Sequence, residues 1–133
     1  MRVAELMRPT VVTISPDASI SDLVQSLADA RVSGLPVVSP TGQVVGVVSA
    51  TDVLQAAGET GDTQARTNVF EHTTVADLMT RNAQMIGPDA DAREAAQRML
   101  YTGVRRLFVE DQGRLVGVIS QTDIAHAVGL GRL

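Results

Sequence analysis

The sequence predicts an α/β (α+β) fold made of two β-α-β-β-α repeats. Residues 3–7 match residues 75–79 at an offset of 72, and the offset becomes 71 beyond the turn near Pro40. Within each copy, β-branched runs of strand length alternate with segments whose apolar residues recur at helical spacing. One copy offers only a small sheet with one apolar face, so we expect the two copies to pack together around their cores.

The elements of the first copy follow from local signals. A short amphipathic helix at residues 3–7 precedes a strand at residues 11–14, which a Ser-Pro-Asp sequence ends. Ser19 and Asp22 have the spacing of a capping box and predict the start of a second helix. In the second copy, Asp91 and Glu94 are the corresponding cap partners.

Two further strands and a last helix complete each copy. Residues 35–38 and 44–48 are short apolar runs, and the Ser-Pro-Thr-Gly turn between them predicts a hairpin. The final helix is predicted to begin near Thr51 or Asp52. We therefore place the first repeat at residues 1–57 and the second at residues 73–133, with residues 58–72 as a polar, glycine-containing flexible linker.

Composition excludes several classes of protein. The chain has no cysteine, which excludes disulfides, thiol nucleophiles and zinc–thiolate sites. Its net charge of −4 argues against a large basic surface for nucleic acid. The N-terminus lacks the apolar stretch of a signal peptide, and no apolar run is long enough to span a membrane. We expect a cytoplasmic protein that binds neither nucleic acid nor membrane.

The stretch at residues 46–53 recurs at residues 117–124, and each copy ends an apolar run at a serine that is followed three residues later by an aspartate. Such a strand would deliver a hydroxyl and a carboxylate to a helix N-terminus, a place that suits a polar ligand. The same spacing is also that of a capping box, so either pair could serve only to start its helix. Both interpretations are open from the sequence.

These motifs, in this order and present twice, resemble the cystathionine-β-synthase (CBS) domain family, whose tandem form is the CBS pair or Bateman module. The resemblance covers nearly the whole chain. In the first copy it is carried by Leu6-Met7, Thr13 to Pro16, Val32 to Val38 and Gly46 to Asp52. In the second copy it is carried by Leu78-Met79, Met85 to Pro88, Val104 to Val109 and Gly117 to Asp123.

The resemblance implies two repeats packed about a pseudo-twofold axis, with two clefts that bind AMP, ADP, ATP or S-adenosylmethionine, and assembly into a homodimer. The first cleft would use Ser49, Thr51, Asp52, Met85, Ile86, Arg105, Arg106 and Leu107. The second would use Thr13, Ile14, Ser33, Gly34, Leu35, Ser120, Thr122 and Asp123. In the first cleft, Asp52 would accept both ribose hydroxyls, and Ser49, Thr51, Arg105 and Arg106 would contact phosphate. Met85, Ile86 and Leu107 would form the wall beside the adenine.

The arginine pair makes the two clefts unequal. Arg105 and Arg106 occupy a position where the first copy has Ser33 and Gly34. A pair of charges can also be an ordinary solvated face, but its position between two apolar residues beside a strand favours one arginine in the cleft, and we favour Arg106. The cleft with Asp52 and Arg106 should then prefer the more highly phosphorylated ligand.

No catalytic constellation or metal site is predicted, because no nucleophile lies near a base and neither His72 nor His126 has a companion ligand. The sequence therefore predicts a non-enzymatic regulatory module that needs no catalytic cofactor and signals to an unidentified partner protein. The alternatives are a structural dimerisation or protein-interaction module with unoccupied clefts, and a sensor of S-adenosylmethionine. An enzyme that uses a cleft carboxylate is disfavoured.

Overall fold

The computed structural model describes residues 1–58, 63–81 and 83–133. The elements in chain order are α1 (Val3–Leu6), α2 (Ile20–Ala30), β1 (Gly34–Val38), β2 (Val44–Ser49), α3 (Ala50–Gly58), α4 (Thr63–His72), α5 (Val75–Leu78), β3 (Met85–Ile86), α6 (Ala92–Thr102), β4 (Arg106–Asp111), β5 (Arg114–Ser120) and α7 (Gln121–Gly129). The predicted α+β class is confirmed, and so are the hairpins and the amphipathic helices.

The chain forms two compact units that do not follow the division into sequence repeats. Unit 1 consists of Met1–Val11 and Gln84–Leu133, and unit 2 consists of Val12–Ala83. The N-terminal segment thus packs with the second copy, and the segment at residues 75–80 packs with the first. The boundaries 1–57, 58–72 and 73–133 remain a division of the sequence, whereas the compact units exchange their leading segments.

The exchanged segments dock in the same way in both units. In unit 1, the backbone N–H of Val3 donates to Ala90 (2.8 Å), and Arg8 exchanges two backbone hydrogen bonds with Val118 of β5 (2.8 and 3.0 Å). In unit 2, Val75 donates to Ala18 (2.9 Å), and Thr80 exchanges two with Val47 of β2 (2.8 Å each). Val3 and Val75 are fully buried. Each segment therefore pairs with the outer strand of a hairpin and adds a side chain to its core.

Antiparallel hairpins form the centre of each sheet. In unit 2, β1 pairs with β2, and Ile14 bridges in parallel to Val37 of β1. In unit 1, β3 pairs in parallel with β4, which pairs antiparallel with β5. The hairpin turn in unit 1 is short because Gln112 and Gly113 both have positive φ (51° and 79°), which matches the strand twist. That short turn explains the change in repeat offset.

The predicted strand at residues 11–14 is wrong in extent. Only Ile14 bridges to β1, through its N–H to Pro36 O (3.1 Å) and its C=O to Val38 N–H (2.9 Å). The division between the units falls between Val11 and Val12, so this segment links them and has little length left to pair. Pro9 and Pro16, which flank this segment, have no backbone N–H to donate, so the strand cannot extend through them as donors.

The prediction of a flexible linker at residues 58–72 is also wrong over most of that range. Residues 63–72 form α4, which contacts α2 and α3. Residues 59–62 of the predicted linker lie outside the described residues. The polar composition favoured a flexible connection, but a helix that gains tertiary contacts needs little intrinsic propensity.

Each unit has its own apolar core built from aliphatic residues. In unit 1, Val3 of α1 joins Met99 of α6, Leu107 of β4 and Ile119 of β5, all fully buried. In unit 2, Val75 of α5 joins Leu23 of α2, Leu35 of β1 and Val48 of β2. In the parts of the chain that the structure describes, no helix has the length and apolar character needed to cross a membrane.

Candidate functional site

The two Ser-x-x-Asp motifs lie where the last strand of each hairpin meets a helix. In unit 2, Oδ2 of Asp52 accepts hydrogen bonds from the N–H (2.7 Å) and Oγ (3.0 Å) of Ser49, and the N–H of Asp52 donates to Ser49 Oγ (3.3 Å). Asp52 is half-buried, and its Oδ1 makes no hydrogen bond to any described residue. The motif therefore caps α3 with one oxygen of Asp52 and leaves the other available.

The second motif repeats this geometry but adds an ion pair. Oδ2 of Asp123 accepts from the N–H and Oγ of Ser120 (2.9 Å each), and the Asp123 N–H donates to Ser120 Oγ (3.1 Å). The Nε of Arg8 donates to Oδ1 of Asp123 at 3.2 Å. The side chain of Asp123 is 12% exposed and that of Arg8 is 70% exposed. Both motifs are thus capping boxes, and they differ in the state of Oδ1.

The first residues of β1 and β4 lie beside the Ser-x-x-Asp motif of their own copy. Arg106 is the direct strand partner of Ser120, and the Gln121 N–H donates to Arg105 O (2.9 Å). In unit 2, Gly34 is the partner of Ser49, and the Ala50 N–H donates to Ser33 O (2.8 Å). Arg105 and Arg106 are both exposed. Unit 1 therefore brings two exposed arginines close to its own Ser-x-x-Asp motif.

Most of the predicted apolar contacts are parts of the two cores. Ile14, Leu35, Ile86 and Leu107 are 7%, 2%, 5% and 0% exposed. A ligand beside these residues would meet mainly their backbone atoms. Met85 is half-buried, and its carbonyl accepts a hydrogen bond from Arg98.

The remaining predicted ligand residues are more open. Thr13, Ser33, Thr51 and Thr122 are exposed, so their hydroxyls remain accessible. Each predicted cleft combines residues of unit 1 with residues of unit 2, and these combinations remain predictions.

A pocket of about 350 Å³ lies within unit 1, between α1 and α7. Its polar and charged lining residues are Glu5, Arg8, Thr122, Asp123, His126 and Arg132. Thr122 and Asp123 were predicted as ligand residues, but Arg8, His126 and Arg132 were not. Arg8 follows the repeated Leu-Met pair and aligns with Thr80 of the other copy, so a comparison of the two copies could have identified it.

The corresponding positions of unit 2 keep the two carboxylates but replace Arg8 and His126 by uncharged residues. Asp77 corresponds to Glu5, Thr80 to Arg8, Asp52 to Asp123 and Gln55 to His126. The position of Arg132 corresponds to residue 61, which lies outside the described residues. Where the two copies can be compared, the arginine on the motif is specific to unit 1.

Among the residues described, no three His, Cys, Asp or Glu side chains come together in a way that could hold a metal ion. The chemical groups at the site are carboxylates, hydroxyls and guanidinium groups. Such groups recognise diols and phosphates through hydrogen bonds and charge.

Comparison with known proteins gives matches over nearly the whole chain. The family model of the CBS domain matches residues 3–59 and 75–130. CBSX2, a chloroplastic CBS domain-containing protein of Arabidopsis thaliana, is 28% identical over 148 residues, which cover 94% of this chain and 62% of CBSX2. Inosine-5'-monophosphate dehydrogenase of Methanocaldococcus jannaschii is 30% identical over 121 residues, which cover 90% of this chain and 22% of that enzyme. The chain thus spans less than two thirds of the length of these relatives.

Solved structures share the fold. The crystal structure of CBSX2 in complex with AMP has a TM-score of 0.82 at 28% identity and covers 97% of each chain. The CBS domain pair of protein MJ0100, solved with 5'-methylthioadenosine and S-adenosyl-L-methionine, has a TM-score of 0.79 at 23% identity and covers 98% of each chain. At that lower identity the likeness concerns the fold alone.

Proposed function

This chain belongs to the CBS domain family, and from that premise we propose that it is a non-catalytic regulatory module that binds an adenine nucleotide, AMP, ADP or ATP. The observation that carries the proposal is the repeated Ser-x-x-Asp geometry. In both motifs a serine fixes Oδ2 of the aspartate, so that Oδ1 is held in a defined direction. The binding of AMP by CBSX2, a relative that matches over 97% of this chain, supports the choice of ligand.

The proposed recognition follows from the chemistry of each group. Oδ1 of Asp52 would accept a ribose hydroxyl, since an ionised carboxylate has acceptor capacity beyond the two bonds made by Oδ2. Thr51 and Thr122, which are exposed at the starts of α3 and α7, would donate to phosphate. Arg105 and Arg106 would add charge-assisted hydrogen bonds, each contributing about 1.5–3 kcal/mol. The combination selects a ligand with both a diol and an anionic group.

We further propose that the module works as a homodimer in the cytoplasm and passes its signal to a separate partner protein. Large apolar side chains on the helices favour association: Leu54 of α3 is 71% exposed, Leu100 of α6 is 78% exposed and Tyr101 of α6 is 94% exposed. The same residues support the second candidate, a dimerisation or protein-interaction module without a nucleotide. S-adenosylmethionine is the alternative ligand.

Thermal denaturation with each ligand separates these possibilities. A ligand at 100 times its dissociation constant stabilises the folded state by about 2.7 kcal/mol, which corresponds to a rise of several degrees in Tm for a chain of this size. The series should contain AMP, ADP, ATP, S-adenosylmethionine and NAD. We expect the largest rise with an adenine nucleotide. No rise with any ligand supports the interaction module, and turnover of a nucleotide would contradict the non-catalytic assignment.

The aspartates provide the first mutational test. We expect the double variant Asp52→Asn, Asp123→Asn to lose the ligand-induced rise in Tm, because the amide loses the charge and one acceptor. The matched control is Asp91→Asn, which changes a cap aspartate of α6 that lies outside the predicted clefts and accepts from Arg93 N–H at 2.8 Å. Asn is about as good a cap as Asp, so this control should keep the rise. A normal ligand response in the double variant would reject the carboxylates as ligand groups.

Arg106 provides a second test. Replacement of Arg106 by glutamate should weaken ATP binding more than adenosine binding, because only ATP carries the phosphates that the guanidinium would contact. Calorimetric titration of both ligands measures the two changes. Adding Asp52→Asn or Asp123→Asn to the variant shows which motif shares the ligand with Arg106. Equal losses of affinity for ATP and adenosine would contradict the assignment of Arg106 to phosphate binding.

A further inference from the structure

The pocket of unit 1 contains an ion pair on the very oxygen that a ribose hydroxyl would use. Nε of Arg8 donates to Oδ1 of Asp123 at 3.2 Å, while Oδ2 is held by Ser120. Asp123 is nearly covered, but Arg8 is 70% exposed. The side chain of Arg8 makes its hydrogen bond through Nε, and its two terminal NH₂ groups are bonded to no described residue.

Among the described residues, no arginine bonds the same oxygen in unit 2. Thr80 stands where unit 1 has Arg8, and its side chain carries no charge. The backbone of both residues pairs with β5 or β2 in the same way, through Val118 and Val47. The two positions therefore differ in their side chains and not in their local fold. This difference makes the two aspartates a natural matched pair.

We propose that Arg8 makes the Asp123 site selective for phosphorylated adenosine ligands over adenosine itself. The inference rests on the proposed function and names the residue that sets the specificity of one of its sites. A diol that binds Oδ1 of Asp123 must replace the bond from Arg8. A phosphate on the same ligand supplies Arg8 with a new anionic partner, so the guanidinium is not left without one. Adenosine offers no such compensation.

The exposure of Arg8 makes this exchange feasible. Its guanidinium is 70% exposed and makes one hydrogen bond to Asp123, so water can solvate Arg8 when it leaves the carboxylate. An arginine–phosphate contact can be bidentate and is stronger than a single-donor bond. The pocket also contains Arg132 and His126, so the phosphate would enter a region in which Arg8 is not the only nitrogen donor. At Asp52, where Thr80 replaces the arginine, this selectivity should be absent.

The test measures AMP and adenosine affinities by calorimetric titration in an Asp52→Asn background. In this background the measured binding is that of the site that contains Asp123. With Arg8 present, AMP should bind more tightly than adenosine. The variant Arg8→Thr installs the residue of the other copy and removes one charge-assisted contact to phosphate. It should lower the ratio of AMP to adenosine affinity about tenfold, which corresponds to about 1.4 kcal/mol. Arg8→Lys, which keeps the charge but loses the planar fork, should lie between them.

The reciprocal variant is Thr80→Arg in an Asp123→Asn background, which should raise the same ratio at the Asp52 site. Equal changes in both affinities, or no change in the ratio, would overturn the inference. If the Asp52→Asn protein binds neither ligand while the Asp123→Asn protein binds AMP, the inference fails but the proposed function stands. If the unaltered protein binds neither ligand, the proposed function and the inference fail together. Thermal denaturation of each variant without ligand confirms that it is folded.

Discussion

Replacing Gly117 by alanine lowers the free energy of unfolding by about 1–3 kcal/mol, the usual cost of forcing an extra carbon into a packed site. A Cβ at this position would lie 2.8 Å from the carbonyl oxygen of Arg8 and 2.7 Å from Sδ of Met7. The thioether of Met7 can move. The carbonyl cannot, because it accepts a hydrogen bond from Val118, the residue next to Gly117. The exchanged segment would have to leave β5 to make room.

The equivalent substitution can be made at Gly46, which corresponds to Gly117 in the other copy. At Gly46, a Cβ would lie 2.8 Å from the Thr80 carbonyl oxygen and 2.8 Å from Sδ of Met79. Gly46→Ala should therefore destabilise unit 2 to a similar extent. Chemical denaturation of each variant measures the change in free energy, and hydrogen exchange shows which unit opens.

Two other glycines are matched controls for this pair. Gly58 and Gly129 occupy equivalent positions as the last residues of α3 and α7, and a Cβ there would meet nothing within 4 Å. Alanine at either position should leave stability unchanged or raise it by up to about 1 kcal/mol through its higher helix propensity. Unaltered stability in Gly46→Ala and Gly117→Ala would show that the docked segments adapt freely, contrary to the close approach in both units.

Much of this architecture could be predicted from local patterns. The hairpins follow from apolar runs separated by turn residues. The helix α2 follows from its Ser19 cap and the spacing of its apolar residues, of which Ile20, Leu23 and Leu27 are buried and Val24 is 45% exposed. The Ser-x-x-Asp motifs were predicted as caps or ligand groups, and their capping role is confirmed. Their role toward a ligand is a proposal.

The exchange of the leading segments could not be predicted, for a physical reason. Residues 3–7 and 75–79 have nearly the same side chains in the same order, so each segment would fit either hairpin. Nothing in the local pattern distinguishes docking within a copy from docking with the other one. The pair of Arg8 with Asp123, which are 115 residues apart, is a direct consequence of this exchange and was missed with it. The helix α4 was missed because its contacts are tertiary.

Deletion of residues 1–8 should destabilise unit 1 more than any single substitution considered above. The deletion removes Val3, which is 0% exposed in the core cluster of unit 1. It also removes the hydrogen bonds that Val3 and Ala4 donate to Ala90 and Pro88 (2.8 and 2.9 Å), and both bonds between Arg8 and Val118. The backbone of β5 would then have unpaired groups along an open edge, and α6 would lose the packing of α1.

Hydrogen–deuterium exchange tests this prediction at the level of single elements. In the truncated protein, the amides of β5, α6 and α7 should lose protection from exchange. The amides of the β1–β2 hairpin should keep more of their protection, because the segment at residues 75–80 that docks on this hairpin is intact. Val3→Ala is the graded variant, because it keeps the backbone bonds and removes only buried methyl groups. Arg2→Ala is the control, because its side chain is 60% exposed and its ion pair with Asp89 is on the surface. Full protection of β5 after the deletion would mean that the N-terminal segment adds little to unit 1, and that the exchange is not needed to complete its core.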